Sequence, residues 1–102
     1  MIFEFKSMAE FKARLEDKDL KMSIEIFSQI KKAFYSKVHR KKVTAFTVII
    51  GNEEIDFILE RQYWIKSLTT CMNTFAEVDM FEECIEIQKM IKELETVNYE
   101  YK

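Results

Sequence analysis

Val43-Thr44-Ala45-Phe46-Thr47-Val48-Ile49-Ile50-Gly51-Asn52-Glu53-Glu54-Ile55-Asp56-Phe57-Ile58-Leu59-Glu60 is the stretch that separates an all-helical chain from one built on a sheet. Its first eight residues are β-branched or aromatic with one Ala, side chains that fit a pleated, half-buried surface. Its last six alternate Ile55, Phe57 and Leu59 with Asp56, Ile58 and Glu60, a period of two. Between them stand the only Gly of the chain and an Asn, where a tight turn wants positive φ. The reading is a β-hairpin over about 42–60. A helix running from Glu53 to Thr74 is the competing reading, because no residue after Glu60 clearly breaks the chain.

The flanking segments fit a helix-dominated α+β domain. Met1 to Lys6 alternates, with Met1, Phe3 and Phe5 on one side, and suggests a short strand that could join the hairpin in an antiparallel sheet. Ser7 followed by Glu10 forms a capping-box pattern, which starts a helix from Met8 to about Glu16 with Met8, Phe11 and Leu15 on one face. Asp19 can cap a longer helix through Lys37, whose stripe is Leu20, Ile24, Phe27, Ile30 and Phe34. Beyond the hairpin, Trp64, Leu68, Cys71, Met72, Phe75 and Ala76 recur at helical spacing. After Glu77-Val78-Asp79 the pattern resumes with Phe81, Cys84, Ile87, Ile91 and Leu94. Two helices with so short a connection must be antiparallel neighbours, a helical hairpin over about 62–95. Asp79 and Glu82 are expected to cap the second of them, and Thr96 to Lys102 to fray.

At 102 residues the chain makes one domain, and 48% hydrophobic residues with nine Phe and six Met place it among folded rather than disordered chains. The absence of Pro and the single Gly argue against a loop-rich all-β domain. The first residues hold an acid and no apolar run long enough for a signal-peptide core. Val43 to Ile50 falls far short of the roughly 20 residues that cross a bilayer. A cytoplasmic location, in a bacterial cell or in a host cell if phage-encoded, and no membrane partner are therefore expected.

Catalysis has little to work with. Cys71 and Cys84 fall on the inward helix stripes and read as small hydrophobes. One His with two Cys cannot complete a structural zinc site. His39 stands in a cationic cluster without a neighbouring acid or nucleophile. Glu53, Glu54 and Asp56 lack calcium-loop spacing, and no Gly-rich phosphate loop exists. No enzyme activity, cofactor or metal is expected.

The net charge of −2 conceals a segregation. Residues 31 to 42 hold Lys31, Lys32, Lys37, Arg40, Lys41 and Lys42 with no acid, and Tyr35 and His39 lie among them. Residues 77 to 95 hold seven acids and two lysines. The basic run complements the dipole at a helix C-terminus, which suffices as a structural explanation. It could also grip phosphates, with Tyr35 and His39 stacking on bases, although a pI near 5.5 is low for a nucleic-acid domain. A third use is pairing with an acidic protein surface, including the hairpin of a second copy.

Ala76-Glu77, three residues, Phe81-Glu82-Glu83-Cys84, then Ile87 and Ile91 resembles the UVR motif of the excision-repair proteins UvrB and UvrC and of some regulators of the ClpC protease system. Gln88 and Lys89 stand where that family has an Arg-Asp pair, and the resemblance covers about 30 residues. It implies a helical hairpin that pairs with a like hairpin, and no repair activity. Met80, Ile85 and Met90 lie off the main stripe, so the second helix is apolar on more than one side and needs a second cover. The long preceding helix could supply that cover from within. The leading expectation is a non-enzymatic adaptor or inhibitor that binds a protein, a type common among small phage accessory proteins. Its contact is a homodimer interface formed by Trp64, Leu68, Met72, Phe75, Met80, Phe81, Ile85, Ile87, Met90 and Ile91. The alternative is a nucleic-acid-binding regulator using Lys31, Lys32, Tyr35, Lys37, His39, Arg40, Lys41 and Lys42.

Overall fold

The structure, a computed structural model, describes residues 2–17, 19–36 and 41–100. In chain order the elements are β1 (Ile2–Phe5), α1 (Met8–Glu16), α2 (Leu20–Phe34), β2 (Lys42–Ile50), β3 (Glu53–Glu60), a 3-10 turn (Arg61–Tyr63), α3 (Trp64–Glu77) and α4 (Phe81–Glu100). The fold is α+β, with the expected hairpin as its β2–β3 pair. Glu53 to Glu60 is strand, so the helical reading holds only from Trp64 onward.

The sheet order is β1-β2-β3. Ile50 pairs with Glu53 across the turn, where Gly51 has φ 63°. Asn52 does not share the positive φ, the pattern of a type II′ turn with Gly first. β1 joins β2 in parallel, Ile2 opposite Thr47 and Phe5 opposite Ile50, so the sheet is mixed rather than antiparallel. Two helices separate these strands in sequence, and such a crossover returns the chain in the same direction.

One face of the sheet makes the core. Phe46 and Phe57 stack across β2 and β3 at 4.9 Å, and Phe3 meets Phe46 edge-on at 5.0 Å. Phe11 of α1 stands edge-on to Phe46 and Phe57 and 5.3 Å from Phe5, which fixes α1 on this face. A bulge between Thr44 and Phe46 breaks the alternation, so that Ala45 and Phe46 are both buried. Without that extra residue, Val43 and Phe46 could not face the same core.

α1 and α2 begin as their capping residues dictate. Ser7 Oγ accepts the Glu10 N–H at 3.2 Å, while Glu10 Oε2 accepts the Lys6 N–H at 3.1 Å, one residue earlier than a strict capping box. Asp19 Oδ1 accepts the Met22 N–H, and its other oxygen meets Arg14 Nη2 at 2.7 Å, tying the end of α1 to the start of α2. α2 buries Met22, Ser23, Phe27, Ile30 and Ala33, leaving Leu20 and Ile24 more exposed than the expected stripe implies. Phe27 then packs edge-on against Phe75 of α3 at 5.7 Å.

Trp64 closes the sheet onto the helices. Its ring is fully buried, and its Nε1–H donates to the Leu59 carbonyl at 3.1 Å, satisfying the one polar atom that burial would otherwise penalise. α4 continues as helix to Glu100, past the point where fraying was expected, with Leu94 still buried.

Candidate protein-docking surface

The hairpin of α3 and α4 turns on three residues. The Met80 N–H donates to the Phe75 carbonyl at 2.9 Å and the Asp79 N–H to the Ala76 carbonyl at 3.3 Å, the paired bonds of a Schellman motif. Asp79 occupies the left-handed position with φ 61°, where Gly is usual. It therefore terminates α3 instead of capping α4. The Met80 carbonyl already accepts the Cys84 N–H at 3.3 Å, so the second helix begins without a spacer.

This geometry sorts the ten residues expected at a docking surface. Trp64, Leu68, Phe75, Ile87 and Met90 are fully buried within the chain. Met72, Met80 and Ile91 are partly buried and pack against the core. Phe81 and Ile85 are exposed, at 58% and 54%. Met90, which the periodicity places off the main stripe, lies inside, and Phe81, which it places on the stripe, lies outside. α4 is rotated because its inward line is Cys84, Ile87, Met90 and Leu94, spaced three and four apart. Phe81 and Ile85 are one helical turn apart and share the other face, with Val78 exposed in the connection.

The basic segment divides as well. Lys31 Nζ lies 2.9 Å from Glu86 Oε1 on α4, and over the Phe27 ring at 5.7 Å. Among the four described cations, Lys31 thus meets the acidic hairpin of its own chain. Lys32, Lys41 and Lys42 are exposed, as is Tyr35, whose ring stands edge-on to Phe34 at 4.9 Å. Lys37, His39 and Arg40 lie outside the described residues. Lys32 and Lys42 line one open groove of about 470 Å³ with Gln29, Ser36, Thr44 and Ile58, which brings the two ends of the segment together.

Neither thiol is placed as a nucleophile. Burial pushes the Cys71 thiol up to about 12, against the smaller opposing effects of hydrogen bonds at Ser23 and Phe27, and its Sγ donates to the Ser23 carbonyl at 3.4 Å. Cys84 Sγ donates to the Met72 carbonyl at 3.4 Å, linking α4 to α3. Among the described residues no cluster of His, Cys, Asp or Glu is arranged to hold a metal ion. No described helix is long and apolar enough to cross a membrane.

Sequence reasoning could not separate an ion pair within the chain from one between copies, since charge segregation looks the same in both. It also missed the outer edge of β3, which no other described strand covers. No protein-family model matches the chain, and no curated protein and no solved structure matches it.

Proposed function

We propose that this chain is a non-enzymatic protein-interaction module, an adaptor or inhibitor acting in the cytoplasm, that self-associates through its C-terminal helical hairpin. The observation that carries the reading is the pair Phe81 and Ile85, two large apolar side chains more than half exposed one turn apart at the start of α4. Both project from a hairpin whose interior is already filled, so internal packing does not account for them. The resemblance of Ala76 to Ile91 to the UVR motif supports a like hairpin as the partner. A role as a phage accessory protein that disables a host factor fits a module of this kind.

Stable interfaces bury about 1,600 Å² in total, more than the two side chains of this contact supply. Met72, Met80 and Ile91, partly buried at its border, would have to contribute. Light scattering coupled to size exclusion at high micromolar concentration should show a dimer, and Phe81→Asp with Ile85→Asp should return it to a monomer. A monomer at every concentration overturns self-association. A dimer unaffected by the two substitutions overturns the hairpin as its interface.

A second reading rests on the groove that joins Lys32 to Lys42. Two cations at one groove are a minimal phosphate grip for nucleic acid. Neutralising Lys32 and Lys42 should then weaken binding to single-stranded DNA and flatten its salt dependence, while leaving self-association intact.

A further inference from the structure

β3 is an eight-residue edge strand paired on one side only, to β2. Among the described residues no other strand takes its outer side, so alternate residues direct their N–H and C=O groups to solvent there. Such a row is a template for one more strand. Its side chains are accessible too, with Ile55 exposed at 37% and Ile58 at 48%.

The charges on β3 select what can pair there. Glu53, Glu54, Asp56 and Glu60 are all exposed, and the strand holds no Lys or Arg. Register places Glu54, Asp56, Ile58 and Glu60 on the sheet face turned away from the aromatic core, where Lys42 of β2, opposite Glu60, is the nearest base in the ladder. Asp56 already accepts the Thr47 hydroxyl at 2.9 Å, and Glu60 the Gln62 amide at 3.0 Å, so these carboxylates are held in position. A second copy of β3 would set acids against acids, and like charges on neighbouring strands are destabilising. Copies of this chain are therefore discouraged from joining edge to edge.

We propose that the β3 edge receives an extended segment of a partner protein in which Lys or Arg alternates with apolar residues. Main-chain hydrogen bonds hold the segment, its cations lie beside Glu54, Asp56 and Glu60, and its apolar side chains extend the core face beside Ile55 and Phe57. The surface is separate from the hairpin of α3 and α4 and does not depend on it.

The test uses the full chain and an alternating lysine–valine peptide of about the length of β3. Three comparison ligands are the glutamate–valine counterpart, the lysine peptide N-methylated on alternate residues, and a scrambled lysine peptide. Calorimetry should show the lysine peptide binding about tenfold or more tighter than each of the others, and amide exchange should slow along residues 53–60. Glu54→Lys with Glu60→Lys should weaken it by a similar factor, with circular dichroism confirming the fold. Equal binding of the N-methylated peptide reduces the effect to charge alone and overturns strand addition. Absence of binding, protection elsewhere in the chain, or concentration-dependent protection of β3 without peptide overturns it equally.

Discussion

Lys31 of α2 and Glu86 of α4 are joined by an ion pair 55 residues apart in sequence, Nζ to Oε1 at 2.9 Å. It connects the basic segment to the acidic hairpin within one molecule. Both side chains remain substantially exposed, at 43% and 31%, so water competes for each charge. Lys31→Met should lower stability by only about 0.5 kcal/mol in urea unfolding, and the difference should shrink further in 1 M salt.

Asp79→Gly should raise stability by about 0.5–1 kcal/mol. The φ of 61° at this position costs an Asp conformational energy that Gly does not incur, and an acid is unfavourable at the negative end of α3. Chemical denaturation at neutral pH measures it, and a loss of stability would mean that the carboxylate supports the start of α4 more than its backbone strains the turn.

Trp64→Phe should destabilise by about 1–3 kcal/mol, and Trp64→Ala by about 3–5 kcal/mol. The first leaves the Leu59 carbonyl without its indole donor, and the second also empties the centre of the core. The gap between the variants in thermal and urea unfolding separates the hydrogen bond from the packing.

The carboxyl of Asp19 titrates below the ordinary range. Burial pushes it up, but the Met22 N–H, the Arg14 hydrogen bond and charge, and the Lys21 N–H together outweigh burial. A depressed folded value means that the charged form stabilises the fold above the unfolded value of about 4, and that this contribution is lost as pH falls through the folded value. Asp19→Asn, which can still cap α2, should flatten the acid side of the stability curve below about pH 4. An unchanged curve would remove Asp19 from the acid response.

Cys71 should resist iodoacetamide at pH 8 in the folded chain and react readily in urea. Its raised value keeps the thiol protonated, and only the thiolate attacks. The same shift contributes stability that is present below the unfolded value near 9 and lost as pH rises toward about 12. Mass spectrometry of the labelled peptides, with and without denaturant, tests the protection, and urea unfolding followed from about pH 8 to pH 11 tests the stability.

Much of this architecture is legible in the residues because local chemistry specifies it. Ser7 and Asp19 mark helix starts by offering an oxygen to an N–H three residues on, and both do so in the fold. Gly51 marks the hairpin because only its φ is positive there. What periodicity leaves open is the choice between faces. Phe81 and Met90 are both apolar, and only the placement of α2 and α3 against α4 decides that Met90 is inside. The direction of β1 is open for a related reason, since alternation is the same in parallel and antiparallel strands. The bulge beside Ala45 shows in no composition at all, yet it decides which β2 residues reach the core.

The parallel pairing of β1 has a bearing on how the chain is made. Ile2 and Phe5 meet Thr47 and Ile50, so β1 has no β2 partner until roughly forty-five more residues are synthesised. At about 5–20 residues per second that delay is roughly 2–9 seconds. β2 and β3, joined by two residues, close within microseconds of being available. Through that delay the nascent chain carries Phe3 and Phe5 without their β2 neighbours, a window in which a chaperone that recognises short aromatic segments has its chance to bind.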